Sequence, residues 1–132
     1  HMPSAGDVFY VRLKHAHLRW GTLGASRQVN QRSPLEAYVQ IPVSDAEACT
    51  ILPGTVFRGS STDGFFNADV RASGSAKKRN NSTGITTKYA KQFQGSGNLK
   101  LFGHWYRHVN AQPGDMIKVE FTSAHDVQFT KI

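Results

Sequence analysis

Residues 65–72 read Phe-Phe-Asn-Ala-Asp-Val-Arg-Ala, and apolar side chains alternate with polar ones along this stretch. Phe66, Ala68, Val70 and Ala72 fall on one face if the chain is extended. Such alternation is typical of a β-strand that turns one face to a core and the other to water. The neighbouring turn signal Ser-Thr-Asp-Gly at residues 61–64 supports a strand that starts after a tight turn.

The chain on either side repeats this pattern, because six further stretches are rich in β-branched and aromatic residues or alternate in the same way. These predicted strands cover residues 7–14, 37–42, 55–58, 88–93, 116–121 and 126–132. Seven short strands joined by Gly- and Pro-containing turns favour a barrel or a sandwich over a parallel sheet.

Two short helices are predicted between the strands. Ser44 with Glu47 three residues later has the spacing of a capping box, which predicts a helix over residues 45–51. Asn98 is a candidate cap for the second helix, over residues 99–109. The apolar stripe of this second helix consists of Leu99, Phe102, Trp105, Tyr106 and Val109.

The length of 132 residues is enough for one adequate hydrophobic core, so we expect a single domain over residues 3–132. His1-Met2 has the look of residues left by cloning.

The single cysteine, Cys49, excludes an internal disulfide and a cysteine-rich zinc site. The sequence has neither an apolar run of about 20 residues nor a signal-peptide pattern, so no membrane association is expected.

The positive charge is segregated along the chain. Lys and Arg total 16 against 9 Asp and Glu, a formal charge of +7. Residues 8–35 and 70–114 contain no acidic side chain, and the acidic stretch 36–69 lies between them. Segregated positive charge attracts polyanions and is the electrostatic footprint of nucleic-acid-binding proteins.

Two polar stretches without an apolar face, residues 15–34 and 73–87, lie in these acid-free zones and are predicted to be long loops, which are commonly functional. They combine Lys and Arg for phosphates with Arg, Asn and Gln for base edges, the side chains that duplex DNA requires. The candidate DNA-binding residues of the first loop are Arg19, Trp20, Arg27, Gln28, Asn30, Gln31 and Arg32. Those in and beside the second loop are Arg71, Lys77, Lys78, Arg79, Asn80, Asn81, Ser82, Thr83, Lys88 and Lys91.

Side chains of Arg, Asn and Gln can bond two atoms of one base. Within this set, the residues hypothesised to include the base readers are Arg27, Gln28, Asn30, Arg79, Asn80 and Asn81. The hypothetical phosphate contacts are Arg19, Arg32, Lys77, Lys78, Lys88 and Lys91. Asn and Ser also populate turns for conformational reasons, so base contact and turn chemistry are both open for Asn80, Asn81 and Ser82.

Other chemistry has weaker support in the sequence. His104 and His108 share a helix face at i, i+4, but Trp105 stands where a metalloprotease motif has Glu, and no third ligand is near. We therefore predict no catalytic residue, no metal and no cofactor, and Cys49 as a core residue.

Binding of single-stranded nucleic acid or RNA remains an alternative, although its candidate aromatic platforms, including Trp20 and Phe65, are scattered.

Two stretches carry a family resemblance. Residues 38–48 read Tyr-Val-Gln-Ile-Pro-Val-Ser-Asp-Ala-Glu-Ala, and residues 99–107 read Leu-Lys-Leu-Phe-Gly-His-Trp-Tyr-Arg, followed by Gln-Pro-Gly-Asp at 112–115 and a strand. This layout resembles the B-three-like DNA-binding pseudobarrel, which occurs in plant transcription factors and in recognition domains of prokaryotic restriction endonucleases. The resemblance implies a mainly β fold with two short helices, built as a seven-stranded open β-barrel that grips the major groove with two arms.

Carried onto this chain, the arms are residues 15–33 and 71–91. The long first loop is closer to the restriction-enzyme branch, which implies a non-catalytic recognition domain, a separate nuclease domain, a restriction-modification role and a prokaryotic cytoplasmic location. The alternatives are a regulatory transcription factor, a reader of modified cytosine and a standalone enzyme. Both arms lack the acidic side chain that would accept from a cytosine amino group, so contacts to guanine and adenine would carry specificity.

Overall fold

The computed structural model describes residues 2–18 and 35–132. The described strands are β1 (Val8–Arg12), β2 (Val39–Gln40), β3 (Val56–Ser61), β4 (Asn67–Ser73), β5 (Ala76–Arg79), β6 (Thr86–Tyr89), β7 (Gln92–Gly95), β8 (Met116–Phe121) and β9 (Asp126–Lys131). The described helices are α1 (His15–Leu18), α2 (Val43–Cys49) and α3 (Leu101–His108). None of these helices is long and apolar enough to cross a membrane.

Seven strands form one sheet in the order β1-β8-β9-β3-β4-β7-β2, which curls into a nearly closed barrel with one unsealed seam. The edge strands β1 and β2 border that seam. Neighbouring strands are antiparallel except β3 and β9, which run parallel. The predicted mainly β class and open seven-stranded barrel are therefore confirmed.

Alternating side chains fill the barrel. In β8, Ile117, Val119 and Phe121 are fully buried while their neighbours are half-buried, and β9 follows the same period. Phe57 contacts the rings of Phe93 and Phe121 edge-on, at centroid distances of 6.1 and 5.3 Å. Edge-to-face contacts of this kind add to the stabilisation that comes from removing the rings from water.

Helix α3 packs its apolar stripe onto this aromatic core. Phe102 and Trp105 are fully buried, and the ring centroids of Phe102 and Phe129 are 5.0 Å apart. The helix begins two residues later than expected, because the Leu101 N–H still bonds the Asn98 carbonyl in a turn. Leu99, predicted in the stripe, is consequently exposed, and Leu101 takes the buried position.

The predicted capping box of α2 is wrong. The helix begins at Val43 directly after Pro42, whose extended backbone (φ −58°, ψ 141°) occupies the cap position without a side-chain hydrogen bond. Ser44 therefore lies inside the first turn. Glu47 lies on the helix surface and pairs with Lys78 instead of the helix backbone.

Both predicted long loops contain regular structure. The first begins with the four-residue helix α1, so the described residues contain three helices where two were expected. The second is not a loop, because residues 76–79 and 86–89 pair as the β5–β6 hairpin. Its strands show no alternation of apolar and polar residues, because the hairpin stands apart from the barrel core and needs no apolar face.

Candidate nucleic-acid interface

The first basic stretch, residues 15–34, is flanked by described residues that lie beside the seam. His17 of α1 is 3% exposed, and its Nδ1 accepts the Lys14 backbone N–H at 3.2 Å. The Tyr38 ring meets the His17 ring edge-on at 5.2 Å, and the Tyr38 backbone N–H bonds the His17 carbonyl at 3.4 Å. The two ends of the segment are thus tied together. Arg19, Trp20, Arg27, Gln28, Asn30, Gln31 and Arg32 lie outside the described residues.

The pKa of His17 is lowered in this setting. Burial lowers its pKa from 6.5, and the positive charge of Lys14 lowers it further, while a hydrogen bond with the Gln40 side chain acts in the opposite direction. An imidazole that accepts a backbone N–H at Nδ1 must be deprotonated there. His17 is therefore part of the architecture at the base of the first basic stretch.

The second basic stretch is the β5–β6 hairpin, whose register places its cations in defined positions. Lys77 lies directly opposite Lys88, and Arg79 lies opposite Thr86. Because side chains of directly opposed residues point to the same side, these four residues share one face of the hairpin. We call this the cationic face; all four residues are exposed.

The other face of the hairpin is turned towards α2. Ala76 and Tyr89 form one half-buried pair there, and Lys78 pairs with Thr87. The Lys78 ammonium lies 3.8 Å from a Glu47 carboxylate oxygen. At its foot, the hairpin is tied to the barrel by a hydrogen bond from the Ala90 N–H to the Ile51 carbonyl at 2.9 Å. The cationic face is therefore the side of the hairpin that points away from α2.

The turn of the hairpin has its own hydrogen bonds. The Asn80 Oδ1 accepts the backbone N–H groups of Ser82 and Thr83, at 2.9 and 3.2 Å. The Thr83 hydroxyl oxygen accepts the Ile85 N–H at 3.3 Å, and Gly84 supplies the positive φ of 74° that the turn requires. These bonds give Asn80 the turn role that the sequence left open, and they give Thr83 a turn role as well, whereas the Asn81 side chain is exposed at the tip.

Strands β4 and β7 continue the hairpin into the barrel with an unchanged register. Ser73 pairs with Gln92, and Ala76 pairs with Tyr89. Each strand therefore has the same number of residues between these two pairs. Arg71 and Ser73 of β4 lie opposite Gln94 and Gln92 of β7, and Gly74, with a positive φ of 76°, separates them from the hairpin. We call β4, β5, β6 and β7 together the ribbon. Lys91 is exposed at the junction, where its Cβ and Cγ lie against Gly74.

The ribbon also carries functional candidates that sequence reasoning missed. The Ser73 hydroxyl donates to the Gln94 Oε1 at 3.0 Å, and Gln94 lies directly opposite Arg71. The alternating run Gln-Phe-Gln at residues 92–94 was a strand signal, but it did not reveal that both carboxamides stand beside Arg71 on the outer face of the sheet.

Cations on the ribbon differ from those on the β3–β9–β8 side of the barrel, where carboxylates lie close to them. On the β3–β9–β8 side, Arg58 bonds Asp126 through two nitrogens, at 2.7 and 2.8 Å, and Lys118 lies 3.4 Å from Glu120. The Arg58 guanidinium and the Ser123 hydroxyl lower the pKa of Asp126 to about 2. Among the described residues, no carboxylate lies within 4.0 Å of the cations at Arg71, Lys77, Arg79, Lys88 and Lys91.

Two side chains weighed for chemistry, His108 and Cys49, and the carboxylate of Asp63 have structural surroundings. The His108 ring stacks on Phe65 at 4.2 Å, and Asp63 accepts the Trp105 Nε1–H at 2.9 Å. Cys49 is buried, which raises the pKa of its thiol to about 11. Within residues 2–18 and 35–132, no group of three or more His, Cys, Asp and Glu side chains is placed to hold a metal ion.

No family model matches the chain, and neither the curated proteins nor the solved structures contain a significantly similar one. The resemblance to the B-three-like pseudobarrel therefore stays a prediction.

Proposed function

We propose that this chain is a sequence-specific double-stranded DNA-binding domain whose β5–β6 hairpin enters the major groove. The observation that carries the proposal is the pairing of Lys77 with Lys88. Like charges directly opposite on an antiparallel pair repel each other, and no described carboxylate within 4.0 Å neutralises either of them. A polyanion beside this face would remove the repulsion.

The dimensions of the hairpin suit duplex DNA. Its two strands have four residues each, about 13 Å of extended chain at 3.3 Å per residue. The major groove is about 12 Å wide and accommodates a two-stranded ribbon. Lys77 and Lys88 would contact phosphates, while Arg79 and Asn81, nearer the tip, would approach base edges.

Specificity in this proposal comes from side chains that make two bonds to one base. Arg79 suits guanine, and Asn81 suits adenine. Asn80 would act mainly through the turn that it stabilises, because its carboxamide oxygen already accepts two backbone N–H groups. The first basic stretch, with Arg27, Gln28 and Asn30, supplies the second arm in this proposal.

We further propose, on the resemblance, that the domain is the non-catalytic recognition part of a prokaryotic restriction endonuclease whose nuclease activity belongs to another domain. Incubating the purified chain with plasmid DNA and Mg²⁺ tests this part separately. Intact plasmid is expected, whereas cleavage that copurifies with the chain and disappears on Lys88→Ala would make it an enzyme in its own right.

The decisive experiment is selection of bound duplexes from a random pool, followed by affinity measurements on the winners across a salt series. Enrichment of one short motif, with discrimination that survives at higher salt, is the expected result. Binding without enrichment that falls steeply with salt would reduce the chain to a non-specific phosphate binder. Preference for single strands or RNA over the selected duplex would contradict the proposal.

A further inference from the structure

The ribbon carries a second polar feature below the hairpin, on the outer face of β4 and β7. Arg71 and Gln94 are directly opposite each other, and Ser73 and Gln92 are the next such pair towards the hairpin. We call these four residues the ribbon base. No acidic residue occurs between Val70 and Gly114, so the ribbon base and the cationic face belong to one acid-free stretch.

The orientation of the Gln94 carboxamide is fixed. Its Oε1 accepts the Ser73 hydroxyl at 3.0 Å, so its NH₂ group points away from Ser73. Within the described ranges, that NH₂ group has no protein acceptor, and it is open to solvent, because no buried side-chain nitrogen or oxygen there lacks a partner. A fixed donor group without an acceptor is suited to a ligand that supplies one.

The positive charge of Arg71, opposite Gln94, favours an anionic hydrogen-bond acceptor. Arg71 is exposed, lies directly across from Gln94, and has no described carboxylate within 4.0 Å. As cross-strand neighbours, the Gln94 carboxamide and the Arg71 guanidinium can both reach an anionic oxygen between them. The guanidinium now extends towards Gly54, with its Nη2 3.9 Å from the position that a Cβ would take there. DNA phosphates are bound by such combinations of Arg with neutral Ser, Asn and Gln donors.

We infer that the ribbon base is a phosphate-binding site of the DNA interface, at which Gln94 donates to a phosphate oxygen next to Arg71. Ser73 acts as a positioning residue that holds the carboxamide in place. This inference rests on the proposed function, and it extends the contact surface from the hairpin onto the barrel wall.

A neutral donor such as Gln94 and a cationic lysine differ in how their loss changes the salt dependence of DNA binding. Replacing a lysine that binds a phosphate lowers the slope of log affinity against log salt by about one, because one fewer counterion is released. Gln94 is neutral, so Gln94→Ala should weaken binding about tenfold, as expected for a hydrogen bond to a charged group, and leave the slope unchanged. Gln94→Glu should weaken binding more, because it places a carboxylate against the phosphate.

The test uses the duplex selected from the random pool and compares wild type, Gln94→Ala, Ser73→Ala, Ser73→Thr and Lys88→Ala. Gln128→Ala is the matched control, because Gln128 is a half-buried carboxamide on β9, opposite Glu120. We expect Ser73→Ala to fall between wild type and Gln94→Ala, and Ser73→Thr to restore affinity through its hydroxyl.

The outcomes separate the inference from the proposed function. If Lys88→Ala weakens binding and lowers the slope while Gln94→Ala behaves as Gln128→Ala, the ribbon base is not a phosphate site and the hairpin proposal stands. If Gln94→Ala changes the slope by as much as Lys88→Ala does, the neutral-donor role is wrong. If the wild-type chain does not bind the duplex at all, both proposals fail.

Discussion

Gly103 of α3 lies directly against the backbone of Leu35, the first described residue after the first basic stretch. A Cβ at position 103 would overlap the carbonyl oxygen and Cα of Leu35. The obstacle is backbone rather than the end of a flexible side chain, so neither element can yield without shifting. Helix α3 thus fixes the point at which the chain returns from the first basic stretch.

Gly103→Ala is therefore expected to lower the free energy of unfolding by about 2–3 kcal/mol, as overpacking does in a filled core. Urea unfolding measures the change. His104→Ala is the control on the same helix, because His104 is exposed and its loss should change stability by less than about 0.5 kcal/mol. Equal stability of the two variants would show that the contact with Leu35 is relaxed in solution.

A buried phenol links α3 to β2 and its flanking chain. The Tyr106 hydroxyl donates to the Tyr38 carbonyl at 2.7 Å, and burial raises the pKa of Tyr106 well above 10. Tyr106→Phe should cost about 1–3 kcal/mol of unfolding free energy, because it removes a buried hydrogen bond. Tyr10→Phe, at an exposed position, should be neutral. A neutral Tyr106→Phe would mean that water replaces the phenol.

These two contacts show why the sequence predicts some parts of this fold and not others. The strands of the barrel were predictable because alternating residues such as Ile117, Val119 and Phe121 must face one core. The Gly103–Leu35 contact was not, since a glycine inside a helix pattern does not reveal which backbone approaches it. Hairpin β5–β6 was missed because strands outside the core carry no apolar period.

The candidate site was predictable by composition rather than by geometry. The acid-free stretch around Lys77 and Lys88 stood out by counting, but their direct opposition depends on a register that only pairing sets. Ser73 and Gln94 were missed for the same reason, since 21 positions separate them along the chain. Asn80 illustrates the reverse case, in which the turn alternative raised from the sequence agrees with the observed hydrogen bonds.

Stability should depend on pH through His17. Its pKa is lowered in the folded chain, so the unfolded chain binds more protons once the pH falls below 6.5. The stabilisation that comes from a neutral His17 is therefore fully present above that pH, and the free energy of unfolding is expected to fall as the pH drops below it. Asp126 and Asp63, whose pKa values are also lowered, contribute in the same direction only as the pH approaches 3.8.

Urea unfolding between pH 7.5 and 5 measures this dependence. His17→Asn keeps an oxygen near the Nδ1 position without a titrating group, so its stability should vary less with pH than that of wild type. His15→Asn, at an exposed residue of the same helix, should keep the wild-type slope. If the unfolding free energy of His17→Asn changes with pH as steeply as that of wild type, the pH dependence comes from other histidines.

The thiol of Cys49 should be inert in the folded protein. Burial, with the negative charges of Asp7 and Asp45, raises the pKa of the thiol to about 11, so thiolate is scarce at neutral pH. We expect no reaction with a disulfide reagent at pH 8 in buffer and one equivalent in denaturant. Rapid reaction of the native chain would show that α2 opens readily and would question the anchoring of the hairpin on this helix.

The two faces of the hairpin give the sharpest comparison of lysines. Lys77 lies on the cationic face, whereas Lys78 points to α2 and pairs with Glu47 at 3.8 Å. An exposed pair of this kind is worth less than about 1 kcal/mol, so Lys77→Ala and Lys78→Ala should differ little in stability. If the cationic face binds phosphates, Lys77→Ala should lower the salt slope by about one and Lys78→Ala should leave it near the wild-type value. Equal loss of slope in both variants would contradict a contact restricted to the cationic face, and a loss in Lys78→Ala alone would invert the orientation that we assign to the hairpin.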